Sequence, residues 1–163
     1  MAHSIGRTLR RYWRQTGRLP AGRWLFSRAL GFIVPYTGTL GAEVRTLAPG
    51  HCIVSLRERR KVRNHLRSVH AMALANLGEM ATGLALLNGL PDNTRGILTG
   101  FSICYLKKAR GVLTAECRCD TPDSNERREY LVNGGICNSD GEAVAEIEAR
   151  WLIGPEQETP RAD

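Results

Sequence analysis

Glu79 is the only fully charged side chain in the run from Val69 to Leu87, VHAMALANLGEMATGLALL. Its neighbours are Ala, Leu, Met and Gly on every side of a helical wheel, the pattern of a buried helix rather than a half-exposed one. A Glu is rarely buried unless it is paired or has chemistry to do. Burial raises a carboxyl pKa and makes the group a better base or nucleophile. A Glu at the helix edge, or one neutralised by an arginine, would serve structure alone. Near the start of the same run stand Asn64, His65 and His70. With Glu79 they supply an amide, two imidazoles and a carboxylate, a set able to activate water or polarise a carbonyl. Nine residues at 100° each put His70 and Glu79 on opposite faces of one helix, about 13 Å apart along its axis. One chain cannot bring both to one substrate atom. Two copies packed with their helices antiparallel can, so a site made from these residues belongs at a dimer interface, two per symmetric dimer.

The elements that must hold these residues follow from pattern and punctuation. Residues 5–17 and 21–34 read as helices, interrupted at Leu19-Pro20 and closed by Pro35. Residues 40–47 and 51–57 read as two strands joined by a turn at Pro49-Gly50. The apolar helix follows and stops at Asn88-Gly89, with Pro91 beyond. Four strand-like runs come next, 96–106, 111–119, 127–137 and 142–153, separated by turn residues such as Thr121-Pro122-Asp123. In the last run Ala143, Ala145, Ile147, Ala149 and Trp151 alternate with Val144, Glu146, Glu148, Arg150 and Leu152. A helix apolar all round needs cover on all sides, and a twisted antiparallel sheet curled about it supplies that cover. The expected class is α+β: a hotdog fold, about six antiparallel strands around one long central helix, preceded by N-terminal helices. The expected organisation is a basic helical extension over 1–35, the hotdog domain over 36–154 and a flexible tail over 155–163.

Residues 1–35 carry seven arginines and no acid, while the other 16 basic residues are balanced by 16 acidic ones. An electropositive appendage on a neutral domain suits phosphate groups or an anionic membrane surface, and its plainest meaning is a solvated helix face. Nucleic acid is not expected as a partner, because the neutral domain offers no aromatic stacking platform. Membrane contact through the N-terminal helices is a minor alternative. No secretory leader and no membrane-spanning run is read, and the five cysteines, odd in number, suit reduced thiols. The expected location is cytoplasmic. Cys117 and Cys119 have no second pair at ligand spacing, so no metal is expected.

The segment from Asn64 to Glu79, NHLRSVHAMALANLGE, resembles the motif of the PaaI-type hotdog-fold thioesterases. There an Asn is followed six residues on by His-Gly, and an acidic residue stands nine residues after the His. The run ICYLKKARG, Ile103 to Gly111, is similar to the strand after the helix in that group. The likeness spans about Pro35 to Ile153 and is nearest to an uncharacterised bacterial branch with a helical N-terminal extension. It implies an enzyme that hydrolyses acyl-CoA thioesters, without a cofactor, as a homodimer or a dimer of dimers. On that resemblance Glu79 is the nucleophile or the base that aims water at the thioester carbonyl. Asn64 of the facing copy positions water or substrate, the Ala71 N–H receives the thioester oxygen, and His70 orients the loop or assists polarisation. His65 matches no motif position and is expected in a surface loop. A Ser or Thr often supports the acid from the next strand; the aligned residue is Leu98, with Thr99 beside it. Two other positions depart from the pattern, Ala71 for Gly and Glu79 for the more frequent Asp. Arg63, Lys107, Lys108 and Arg110 are candidates to meet CoA phosphates. Met72, Leu74 and Met80 are candidates to line an acyl pocket. The alternative function is non-catalytic binding of an acyl thioester or lipid on the same fold.

Overall fold

The computed structural model describes residues 5–156. The expected tail lies outside the described residues from position 157 onward. Two amphipathic helices come first, α1 (Ile5–Thr16) and α2 (Gly22–Ile33), then a single turn, α3 (Pro35–Gly38). Strands β1 (Glu43–Ala48) and β2 (His51–Arg57) lead through a 3-10 turn to α4 (Ala71–Asn88). Strands β3 (Thr94–Tyr105), β4 (Val112–Arg118), β5 (Arg128–Cys137) and β6 (Ala143–Pro155) complete the chain. The order is two strands, one long helix and four strands, as the pattern requires. Pro35 does not simply end a helix: its fixed φ starts the extra turn α3.

The six strands form one antiparallel sheet in the order β1-β2-β4-β5-β6-β3. Its concave face holds α4, and the core lies between them. Leu77, Leu86, Val54, Leu56, Leu113, Ile136 and Ile153 are fully buried there. The alternation of β6 holds from Ala145 onward, with Ala145, Ile147, Ala149 and Trp151 inside and Glu146, Glu148 and Arg150 outside, but fails at its start, where Ala143 is exposed and Val144 is buried. The helix lies very close on β6. A Cβ at Gly78 would meet Ile147 Cγ1 at 2.6 Å, so only glycine permits that approach.

The two edges of the sheet differ. At β1, the Val44 N–H donates to Ser27 Oγ of α2 at 2.9 Å, and α2 in turn is keyed to α1 by an edge-on Trp13–Phe26 pair. At the other edge β3 has β6 on one side only. The basic N-terminus is not all solvated. Arg10 donates to the carbonyls of Asn88 and Leu90, a cation on the orphan carbonyls at the C-terminus of α4. Arg7 pairs with Asp92 in the loop that follows.

Candidate active site

The helix α4 is apolar all round in composition, but its surroundings are not uniform. The sheet covers most of it, and α1 and α3 pack on the rest. A stripe at helical spacing, Met72, Ala75, Asn76, Glu79 and Gly83, faces the gap between α3 and the open edge β3. Glu79 is half-buried at the middle of this stripe. On one side it lines a cavity of about 280 Å³ with Tyr36, Met72, Asn76, Leu98 and Phe101. On the other it meets an apolar recess of about 110 Å³ walled by Ile5, Leu9, Leu30 and Leu84. Among the described residues no ion pair reaches its carboxylate, and burial alone raises its pKa above the ordinary carboxyl value of 4.5. A buried, unpaired, desolvated acid beside a cavity is the usual physical sign of a working carboxylate.

His70 is the N-cap of α4 rather than a residue within the helix. Its backbone is extended, and Nδ1 accepts the Met72 N–H at 3.1 Å, which puts the ring proton on Nε2. The ring is exposed and lines a separate cavity of about 530 Å³ with Lys61, Arg63 and Tyr36. The Ala71 N–H, first in the helix, has no acceptor among the described residues and points where the helix dipole favours negative charge. Tyr105 on β3 donates its hydroxyl to the Ala71 carbonyl at 3.0 Å and so fixes this helix start to the sheet edge.

Asn64 is committed to the loop before α4. Its Oδ1 accepts from the Leu66 N–H at 2.9 Å and from the Ser68 N–H and hydroxyl, both at 3.2 Å. The loop is anchored further by His70 N–H to the Val62 carbonyl and Val69 N–H to the Ala109 carbonyl, each at 2.8 Å. The Asn64 amide Nδ2 has no acceptor among the described residues and is the part of the side chain left for other work. Within one chain, then, Asn64, His70 and the Ala71 N–H gather at the helix start, and Glu79 stands apart from them. His65 is exposed in the loop.

The Val69–Ala109 bond brings the two basic segments together around that helix start. Arg63 donates to Glu58 at 2.6 Å, and Glu58 also takes the Gly111 N–H at 2.6 Å. That backbone bond, more than the flanking Arg63 and Arg110, holds the Glu58 carboxyl below its ordinary value. Lys107 pairs with Glu142 at 2.9 Å, and Lys108 and Arg110 are exposed. Thr99 sits at a bulge in β3 and donates its hydroxyl to the Arg150 carbonyl at 3.1 Å, a bond within the sheet. Of the expected pocket residues, Met72 and Met80 border the cavities and Leu74 is core. Reading the sequence alone misses three residues of this region: Tyr105, Asn76 and Trp151. A tyrosine at the end of a strand-like run and an Asn one turn before Glu79 were the signals available.

Several solved structures are similar in fold. A structural-genomics protein is 27% identical, with a TM-score of 0.78, covering 93% of this chain and 98% of that one. A Pseudomonas aeruginosa protein of unknown function, named a probable thioesterase, is 21% identical (TM-score 0.72; 85% of this chain, 97% of that one). A Streptococcus pneumoniae hypothetical thioesterase, solved with coenzyme A, is 22% identical (TM-score 0.60; 71% of this chain, 91% of that one). No curated protein matches the chain. A family model described as a domain of unknown function, DUF4442, matches residues 22–153, so the chain belongs to that family and carries its sequence on a hotdog fold.

Proposed function

We propose that the protein hydrolyses an acyl-CoA or related acyl thioester at a site shared between two copies of the chain. The observation that carries this reading is Glu79, a desolvated and unpaired carboxylate between two cavities on the central helix. Such a group is prepared to take a proton from water attacking the thioester carbonyl, or to attack that carbon itself. The C–S bond then breaks and the thiolate leaves with a proton. Charge developing on the carbonyl oxygen needs a donor, and the unclaimed Ala71 N–H at a helix start is suited to it.

Two copies are invoked because Glu79 lies eight residues beyond Ala71, about 12 Å along the axis from the helix start. The open edge supports the same assembly. β3 is twelve residues long, with Ile97 and Tyr105 exposed, and a long bare edge favours pairing with another strand. Antiparallel pairing there would bring the facing copy's Asn64, His70 and Ala71 to Glu79. Asn64 then positions water through Nδ2, and His70 orients the loop. Arg63, Lys108, Arg110 and Lys107 offer cations to CoA phosphates near the same helix start, Arg63 and Lys107 by exchanging their present carboxylate partners. The solved relative that holds coenzyme A supports a CoA thioester as the substrate class.

Free-thiol release from short, long and aromatic acyl-CoA thioesters, measured for wild type and Glu79→Gln, tests this. Turnover that falls by about 10²-fold or more in the variant is the expected result, the scale of a lost general base. No release above buffer from any thioester by wild type would leave the fold as an acyl-thioester binding module instead.

A further inference from the structure

Three buried side-chain polar atoms lack a hydrogen-bond partner among the described residues, and two of them flank Glu79. One is Asn76 Oδ1, on a side chain 9% exposed, one turn before Glu79 on the same stripe and on the wall of the same cavity. The other is Trp151 Nε1, on a side chain 4% exposed. Gly83, one turn after Glu79, shows how close that indole comes. A Cβ built there would lie 3.0 Å from Trp151 Cζ2 and 3.6 Å from Glu79 Oε1, so ring and carboxylate flank one glycine. Cζ2 is bonded to the carbon that bears Nε1.

Leaving a buried donor or acceptor unmade costs about 1–3 kcal/mol, so two such atoms beside one buried acid call for a reason. Their chemistry is complementary. An indole N–H can only donate, which suits an ionised carboxylate; an amide carbonyl accepts, which suits a protonated one. Trp151 has two cross-strand neighbours, Leu98 and the titratable Tyr130, and neither bonds its indole N–H; among the described residues Tyr36 is the only other titratable side chain lining either cavity.

We propose that Trp151 and Asn76 are positioning residues for Glu79, the indole N–H donating to its carboxylate and the Asn76 carbonyl accepting from its carboxylic acid. The pair holds the acid in place in both forms that a proton-transfer cycle visits. This deepens the thioesterase reading and rests on it for the role of Glu79, but its test does not need turnover.

The chain has three tryptophans, hence three indole N–H signals in a ¹H–¹⁵N spectrum, and Trp151→Phe identifies the one at issue. That signal is expected to shift as pH rises from the ordinary carboxyl value through the value raised by burial, and to stop doing so in Glu79→Gln. Asn76→Ala is expected to lower the midpoint, because the protonated acid loses its acceptor. Where activity is present, Trp151→Phe is expected to move the acidic limb of the kcat/KM profile to higher pH. If Trp151→Phe does not fold, Trp13→Phe and Trp24→Phe assign the signal by elimination. A pH-independent indole signal, or one that titrates unchanged in Glu79→Gln, overturns the role of Trp151. An unmoved midpoint in Asn76→Ala removes Asn76. Absence of thiol release with a normal indole titration would instead count against the thioesterase reading alone.

Discussion

Two helices of this chain, α4 and α2, are rich in apolar residues, and the fold treats them differently. The sheet wraps α4 so fully that Leu77, Ala85 and Leu86 are inaccessible, and its one open stripe carries Glu79. The other, α2, buries Phe26 and Ser27 against α1 and β1, while Trp24, Leu25, Phe32 and Ile33 point outward, Phe32 at 87% exposed. Apolar composition states that a helix favours cover without stating what provides it. For α4 the chain provides its own cover except where chemistry is proposed. For α2 the inner half anchors an edge of the sheet and the outer half stays exposed among the described residues.

The largest effect expected from this contrast is in the core of α4. Leu86→Ala should cost about 2–5 kcal/mol of unfolding free energy, read by denaturant titration, because it removes burial and leaves a cavity that the sheet cannot close. A loss below about 1 kcal/mol would show that α4 is less tightly enclosed than its contacts indicate.

A smaller effect, with a pH signature, is expected at the open stripe. Burial holds the Glu79 carboxyl above its ordinary 4.5, so the folded chain keeps that proton longer than the unfolded one. Stability therefore falls as pH rises from the ordinary value through the raised one, and stays lower above it. Glu79→Gln should raise Tm at neutral pH and leave it unchanged in acid. An equal effect at both ends would mean that the carboxyl does not titrate in a buried setting. A gain in stability with a loss of turnover is what a strained functional group predicts.

The smallest effect is expected on α2. Phe32→Ser should change stability by no more than about 0.5 kcal/mol, as for other exposed positions. A loss of about 2 kcal/mol or more that depends on protein concentration would show that a second copy covers this arc.

The order of elements was legible because each signal was local. The 2-residue period of β6, the turn at Pro49-Gly50 and the stop at Asn88-Gly89 each depend on a few neighbouring residues, and the structure has all three. The start of α4 was legible only to within two residues, since the choice of His70 as cap depends on its ring reaching the Met72 N–H. The distance of Glu79 from the start of the helix was legible too, as it follows from helix rise. The work done by Asn64 was not. The motif resemblance marked it for water or substrate, and nothing in the sequence showed that its carbonyl oxygen bonds Ser68 and Leu66 to shape the loop. Nor was it legible that Arg10, one of seven N-terminal arginines, would cap the far end of α4.

By itself the sequence determined that a single long apolar helix would need a curled sheet around it, and that this helix would carry one acid. Those conclusions rest on hydrophobic burial and backbone periodicity, which act over short stretches. The tertiary structure decided which stripe of the helix stays open, that β1 is covered while β3 is bare, and that Trp151 arrives beside Glu79 from seventy-two residues away. Such outcomes depend on how strands distant in sequence pair and close, and no local pattern encodes which side chains then face one another.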